Sequence, residues 1–113
     1  MRVLVTDGDN RAALAVTRSL GRRGHHVIVA ERRPRPLAQA SRFCAESLVY
    51  PDPWTREAAF VDALAAAVRE RRVDVVLPIA DVASALVAEH RERLAPAGVP
   101  LPSADAVRRA ADK

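Results

Sequence analysis

The sequence predicts an α/β domain: an open parallel sheet of about five strands with helices on both faces. Two observations carry this expectation. Short, valine-rich apolar runs recur along the chain, and each is followed by a segment in which apolar residues return at helical spacing. Strands apolar on both faces belong in a sheet covered on both sides, and parallel pairing needs crossover connections of the kind those helical segments supply. The 113 residues, half of them hydrophobic, suffice for one domain with one modest core.

The elements follow in order. Val3 to Thr6 reads as a buried first strand. From Asn10 to Arg23, Ala13, Leu14, Val16, Thr17 and Leu20 recur at helical spacing, with Asn10 as N-cap and Gly21 and Gly24 punctuating the end. HVIVAE, residues 26–31, is a second buried strand. RRPRPLAQASRF is a proline-interrupted connection with room for one helical turn, leading to a weaker third strand at Ser47 to Tyr50. PDPWTREAAFVDALAAAVRERR opens with turn chemistry and becomes an amphipathic helix capped by Thr55, with Phe60, Leu64 and Val68 on one stripe. VDVVLPI, residues 73–79, is the fourth strand, and Asp81 caps a helix running to about Arg93. Gly98 to Pro102 fits a short fifth strand, and Ser103 caps a last helix whose Ala104, Val107, Ala110 and Ala111 form a small apolar stripe.

Right-handed crossovers, with the apolar first and fourth strands central, give the order 3-2-1-4-5 and a crevice between the carboxyl ends of strands one and four. ADAVRRAADK stops without a capping glycine or proline. Residues 1–113 are therefore expected to be one domain of a longer protein, whose uncovered face would give weak pairing into a homodimer.

Composition narrows the partners. A net charge of +4 and a pI near 10.5 raise nucleic acid as a partner. Against it, Lys113 is the only lysine, and Arg22, Arg23, Arg69, Arg71, Arg72, Arg91, Arg93, Arg108 and Arg109 fall near helix C-termini, where cations complement the helix dipole. Aromatic residues make up 4% of the chain, too few for base-stacking platforms, so no nucleic-acid partner is expected. No apolar run approaches the roughly 20 residues that cross a bilayer, and MRVLVTDGD reaches charge before a signal-peptide apolar region forms. The expectation is a cytoplasmic domain without a membrane partner. Cys44 reads as a buried thiol. His25 and His26 stand at the start of the second strand, on the edge away from the strand ends, His90 lies on a helix surface, and no metal-ligand spacing appears, so neither a catalytic residue nor a metal site is assigned.

In an open parallel sheet the ligand lies beyond the carboxyl ends of the strands. Those ends carry Asp7-Gly8-Asp9-Asn10, Glu31-Arg32-Arg33, Tyr50-Pro51-Asp52 and Pro78-Ile79-Ala80-Asp81. An NAD(P)-binding domain of a dehydrogenase or sugar epimerase is one reading, since Glu31 stands where an acid takes a ribose hydroxyl. Only Gly8 stands in the turn, however, and Asp7 and Asp9 oppose a pyrophosphate. A receiver-like signalling module is another, with Asp7 and Asp9 suited to a hard cation and Asp52 as phosphate acceptor. Its fourth strand ends in Ile79-Ala80 and its fifth in Leu101-Pro102, where a receiver would carry a hydroxyl and a lysine. The plain alternative is a glycine turn capped by Asn10.

Four stretches taken together, VLVTDGDNRAALAVTRSLGRRGHHVIVAERR, ASRF, VYPDPWTREAAFVDAL and DVVLPIADV, resemble the Rossmann-like N-terminal (pre-ATP-grasp) domain of ATP-grasp ligases, in particular carbamoyl-phosphate-synthase-like and carboxylate–amine ligase members. Ser41-Arg42, Pro51-Asp52-Pro53 and Leu77-Pro78 followed by Asp81 carry the resemblance. It implies that C-terminal ATP-grasp lobes of the same chain hold ATP and Mg2+, with no cofactor in this domain beyond a phosphate contact from Lys113 of the Asp112-Lys113 pair. The chemistry implied is activation of a carboxylate as an acyl phosphate and its joining to an amine. The domain would then line the cleft for a small-molecule carboxylate or amine substrate with Gly8, Asp9, Asn10, Arg32 and Asp81, and would be inactive alone. Arg32, Arg33 and Arg35 are either ligand contacts or solvated.

Overall fold

The computed structural model describes residues 1–100. In them β1 (Arg2–Val5), β2 (His26–Glu31), β3 (Cys44–Val49) and β4 (Val75–Leu77) form one parallel sheet in the order β3-β2-β1-β4. Helices α1 (Arg11–Arg22), α2 (Glu57–Glu70) and α3 (Asp81–Glu89) alternate with the strands, and short 3-10 turns cover Leu37–Ala40 and Arg91–Leu94. No helix of the described residues is long and apolar enough to cross a membrane.

The register shows why β1 is apolar from Val3 to Val5 and β2 from Val27 to Ala30. Val3 and Val5 lie beside Val27 and Val29 and pack under α1 and Ala38, whereas Leu4, beside Ile28, packs with Ala30 and Val76 under α2 and α3. Successive side chains serve opposite layers, so neither face tolerates a polar residue. Phe60, Leu64 and Val68 of α2 are buried in the second layer, as their stripe predicts.

Several boundaries differ from expectation. Among the described residues the sheet has four strands rather than five; the chain reaches the fifth position through a single parallel bridge, Val75 with Gly98. The helix beginning at Ser103, its apolar stripe and Lys113 lie outside the described residues. β3 starts at Cys44, not Ser47, because backbone pairing with Val27 sets its start whatever the side chains suggest. As an edge strand with one open face, β3 alternates half-buried with exposed residues up to Val49, 58% exposed. Cys44 is half-buried, its thiol donating to the Glu46 carbonyl at 3.2 Å, and burial pushes its pKa up.

Thr55 does not cap α2: Arg56 occupies the N-cap without a side-chain bond, its amide donating to the Asp52 carbonyl at 2.9 Å. Asp81 is the first residue of α3 rather than its cap, which is Ala80, and α3 ends at Glu89 before the turn at Arg91–Leu94. Asn10 does cap α1, accepting the Ala12 amide at 2.8 Å. Gly21 lies inside α1 and does not end it; a Cβ there would stand 2.3 Å from Phe43 Cβ, so the bare backbone lets Phe43 pack. Gly24, at φ 86°, closes the helix, with the Gly24 and His25 amides donating back to the Gly21 and Leu20 carbonyls.

Candidate functional site

The strand order places the carboxyl ends of β1 and β4 side by side, and hydrogen bonds hold the two following loops together. The Ile79 amide donates to Thr6 Oγ1 at 3.0 Å, and the Ala80 amide donates to Asp7 Oδ2 at 2.9 Å. The Thr6 hydroxyl donates in turn to the Asp7 carboxylate. Asp7 adopts φ 58°, the left-handed region that aspartate tolerates better than most residues. This turns its amide toward β3, where it donates to the Tyr50 phenol oxygen at 3.0 Å. Tyr50 is 2% exposed and meets the Phe60 ring edge-on, with centroids 4.7 Å apart and planes at 88°. Burial, then the Asp7 charge, push the phenol pKa up, so it stays protonated. Loops after three strands thus share one network centred on Asp7.

The first turn is closed from the other side by the segment joining β2 to β3. The Gly8 amide donates to the Ala30 carbonyl at 3.1 Å, and the Gly8 carbonyl accepts from the Ala38 amide at 2.8 Å. A Cβ on Gly8 would lie 2.7 Å from Val29 Cγ1 and 2.8 Å from Pro36 Cβ. This glycine therefore admits a strap of the same chain, where a dinucleotide fold would use glycine to admit a pyrophosphate. Asp9 Oδ1 accepts the Leu37 amide at 3.1 Å. Glu31, 7% exposed, accepts the Asp9 amide on one oxygen and the Arg32 amide on the other. The acid that a ribose would need is engaged by its own backbone.

The residues singled out from sequence fall into two groups. Asn10 and Asp81 are exposed at the N-terminal ends of α1 and α3, flanking the Asp7–Ala80 link. Gly8 is walled in, Asp9 turns to the strap, and Arg32 reaches toward β3, where Nη1 pairs with Asp52 Oδ2 at 3.1 Å. Asp52 Oδ1 also accepts the Trp54 amide at 2.9 Å, so both its oxygens are used in shaping the turn that leaves Trp54 74% exposed. Arg33 and Arg35 are exposed, lining an open groove of about 270 Å³ between the strap and β3. Asp7 and Asp9 are held by different elements and do not converge as a cation pair.

Sequence reasoning missed Thr6, Tyr50 and Pro36. A threonine closing an apolar strand and the chain's single tyrosine beside the next strand end were visible, but their link through Asp7 spans 43 residues.

Together these features define an open parallel α/β domain whose loops after β1 and β4 are joined by polar contacts and whose first turn is sealed by its own chain. No family model and no curated protein matches the sequence. A solved structure, that of glycinamide-RNase-transformylase T from Mycobacterium tuberculosis, superposes with a TM-score of 0.69 at 23% identity, covering 99% of this chain and 32% of that one. The likeness is one of fold, and the chain spans about a third of that protein's length.

Proposed function

We propose that this domain forms the acceptor-substrate side of the cleft in an ATP-grasp ligase, one that activates a carboxylate through an acyl phosphate and joins it to an amine. The observation that carries the reading is the sealed first turn: Pro36 and Val29 pack where a Gly8 side chain would stand, the Gly8 amide and carbonyl are taken by Ala30 and Ala38, and the neighbouring β1 and β4 loops present polar groups. A Rossmann-like sheet without a phosphate cradle suits a domain that presents a substrate and leaves the nucleotide to another part of the protein. The fold neighbour supports this, being an ATP-grasp enzyme.

In this reading ATP is held outside the described residues. The ATP-grasp lobes that would hold ATP and Mg2+ belong to the proposal, as do the carbamoyl-phosphate-synthase-like character, the contact of Lys113 with an ATP phosphate and the cytoplasmic setting. Gly8 and Asp9 shape the crevice wall in this reading, Arg32 braces it through Asp52, and Asn10 and Asp81 face the substrate. An amine is the better-matched ligand for the exposed Asp81 carboxylate.

Two measurements test this. Calorimetric titration of the 113-residue chain with NAD or NADP is expected to show no binding at micromolar level; tight binding would restore the dinucleotide reading. In the longer protein, Asp81→Asn is expected to raise KM for the acceptor about tenfold while KM for ATP holds, the loss of one charge-assisted hydrogen bond. A change confined to ATP would overturn the assignment. Lys113→Ala should do the reverse, weakening ATP and sparing the acceptor.

A further inference from the structure

At the opposite end of the sheet, near the start of β3, the segment before that strand folds against the second half of α1. Between them lies an open concavity of about 390 Å³, lined by Arg18, Arg22, Ala40, Ser41, Arg42 and Phe43. Its volume falls in the range of small-molecule sites. Three of its six lining residues are arginines and none is acidic.

The concavity is built rather than incidental. Phe43 reaches α1 only because Gly21 has no side chain, since a Cβ there would stand 2.3 Å from it. Phe43 in turn carries the Arg42 guanidinium, which lies 4.9 Å above the ring centroid. Ser41 Oγ accepts the Phe43 amide at 3.1 Å, which leaves the Ser41 hydroxyl proton available to donate. Arg18 and Arg22 are one helical turn apart on α1, so their side chains emerge from the same face.

The charge is equally specific. Elsewhere Arg2 and Arg71 pair with Glu46, Arg32 with Asp52 and Arg93 with Asp62, but among the described residues Arg18, Arg22 and Arg42 enter no ion pair. Two of the C-terminal carbonyls of α1, which would repel an anion here, are engaged: Leu20 and Gly21 accept the Arg23, Gly24 and His25 amides at 3.0–3.1 Å. Three guanidiniums and a hydroxyl facing one concavity, uncompensated, form a donor set for tetrahedral oxyanions.

We infer that the concavity bounded by Arg18, Arg22, Arg42 and Ser41 binds a small soluble molecule through a phosphate or diphosphate group. The site lies at the far end of the sheet from the crevice and does not depend on the ligase reading.

The test is titration of the 113-residue chain with inorganic pyrophosphate at fixed salt, followed by calorimetry and by the amide resonances of residues 40–43. Saturable binding is expected, weakened about tenfold by Arg18→Ala, Arg22→Ala or Arg42→Ala, the effect of removing one charge-assisted hydrogen bond. Arg23→Ala, an exposed arginine on the same helix end outside the concavity, should leave affinity within about twofold. Circular dichroism confirms that each variant is folded. Equal loss in Arg23→Ala would reveal only a diffuse positive field and overturn the inference. So would absence of saturation, or tighter binding to a ten-base-pair DNA duplex than to pyrophosphate at the same salt.

Discussion

Asp7 and Gly8 show how much two adjacent residues decide. Asp7 combines a left-handed backbone, an acceptor for the Ala80 amide and an amide donated to Tyr50. Replacing it with alanine removes the acceptor, leaves the Ala80 amide unpaired and keeps a backbone conformation alanine resists, so Asp7→Ala should cost about 2–3 kcal/mol in urea denaturation. Asp7→Asn keeps an acceptor oxygen and a residue type that tolerates φ > 0, and should lose less than half of that. At Gly8 the constraint is space: Gly8→Ala forces a methyl to within 2.7 Å of Val29 and 2.8 Å of Pro36, so about 1–3 kcal/mol should be lost as the strap shifts. A Gly8→Ala protein as stable as its parent would show that the strap yields freely.

Helix α1 tests propensity against packing. By propensity alone, alanine at an interior helical glycine gains about 1 kcal/mol. At Gly21 the Cβ would collide with Phe43 at 2.3 Å, so overpacking should win and Gly21→Ala should lower the urea midpoint. Adding Phe43→Ala removes the collision, and the double variant should recover part of the loss, a non-additivity that a double-mutant cycle measures directly. At the end of α2 the balance runs the other way. Arg72 holds φ 53°, while the Val73 amide closes the helix onto the Val68 carbonyl at 3.1 Å. Glycine adopts that conformation without the steric cost, so Arg72→Gly is expected to stabilise the domain by about 0.5–1 kcal/mol despite losing a surface charge.

Across the whole molecule, the end of the sheet opposite the crevice is fastened by charge. Glu46 on β3 receives Arg2 from β1 at 2.7 Å and Arg71 from the end of α2 at 3.0 Å, with His26 of β2 against the same carboxylate. Hydrogen bonding, first from His26 and then from Arg2 and Arg71, holds the Glu46 carboxyl below its ordinary value of 4.5. The folded value lies below the unfolded one, so the stabilisation is present in full above 4.5 and is lost as pH falls through that value and the lower folded one. Melting temperature should therefore drop between about pH 5 and pH 3, and Glu46→Gln should flatten that limb while lowering stability near neutrality. An unchanged acid limb in Glu46→Gln would assign the loss to other carboxylates.

The sequence by itself determined the layers and their order. Val3, Leu4 and Val5 beside Val27, Ile28 and Val29 could only form strands buried on both faces, and that local pattern, with the helical stripe of Phe60, Leu64 and Val68, fixed a parallel sheet with β1 flanked by β2 and β4. Asn10 as the cap of α1 was equally local, because it acts on an amide two residues away. What the tertiary structure decided was the meaning of side chains whose partners are distant. Thr6, Asp7 and Tyr50 join three loops through bonds spanning 43 and 73 residues, and Glu31 turns inward to its own backbone. Gly8 and Gly21, read from sequence as a turn and a helix end, prove to be gaps filled by Pro36 and Phe43. Hydrophobic period is written in neighbouring residues and can be read along the chain, whereas close approach and polar pairing depend on which remote segments the completed sheet brings together.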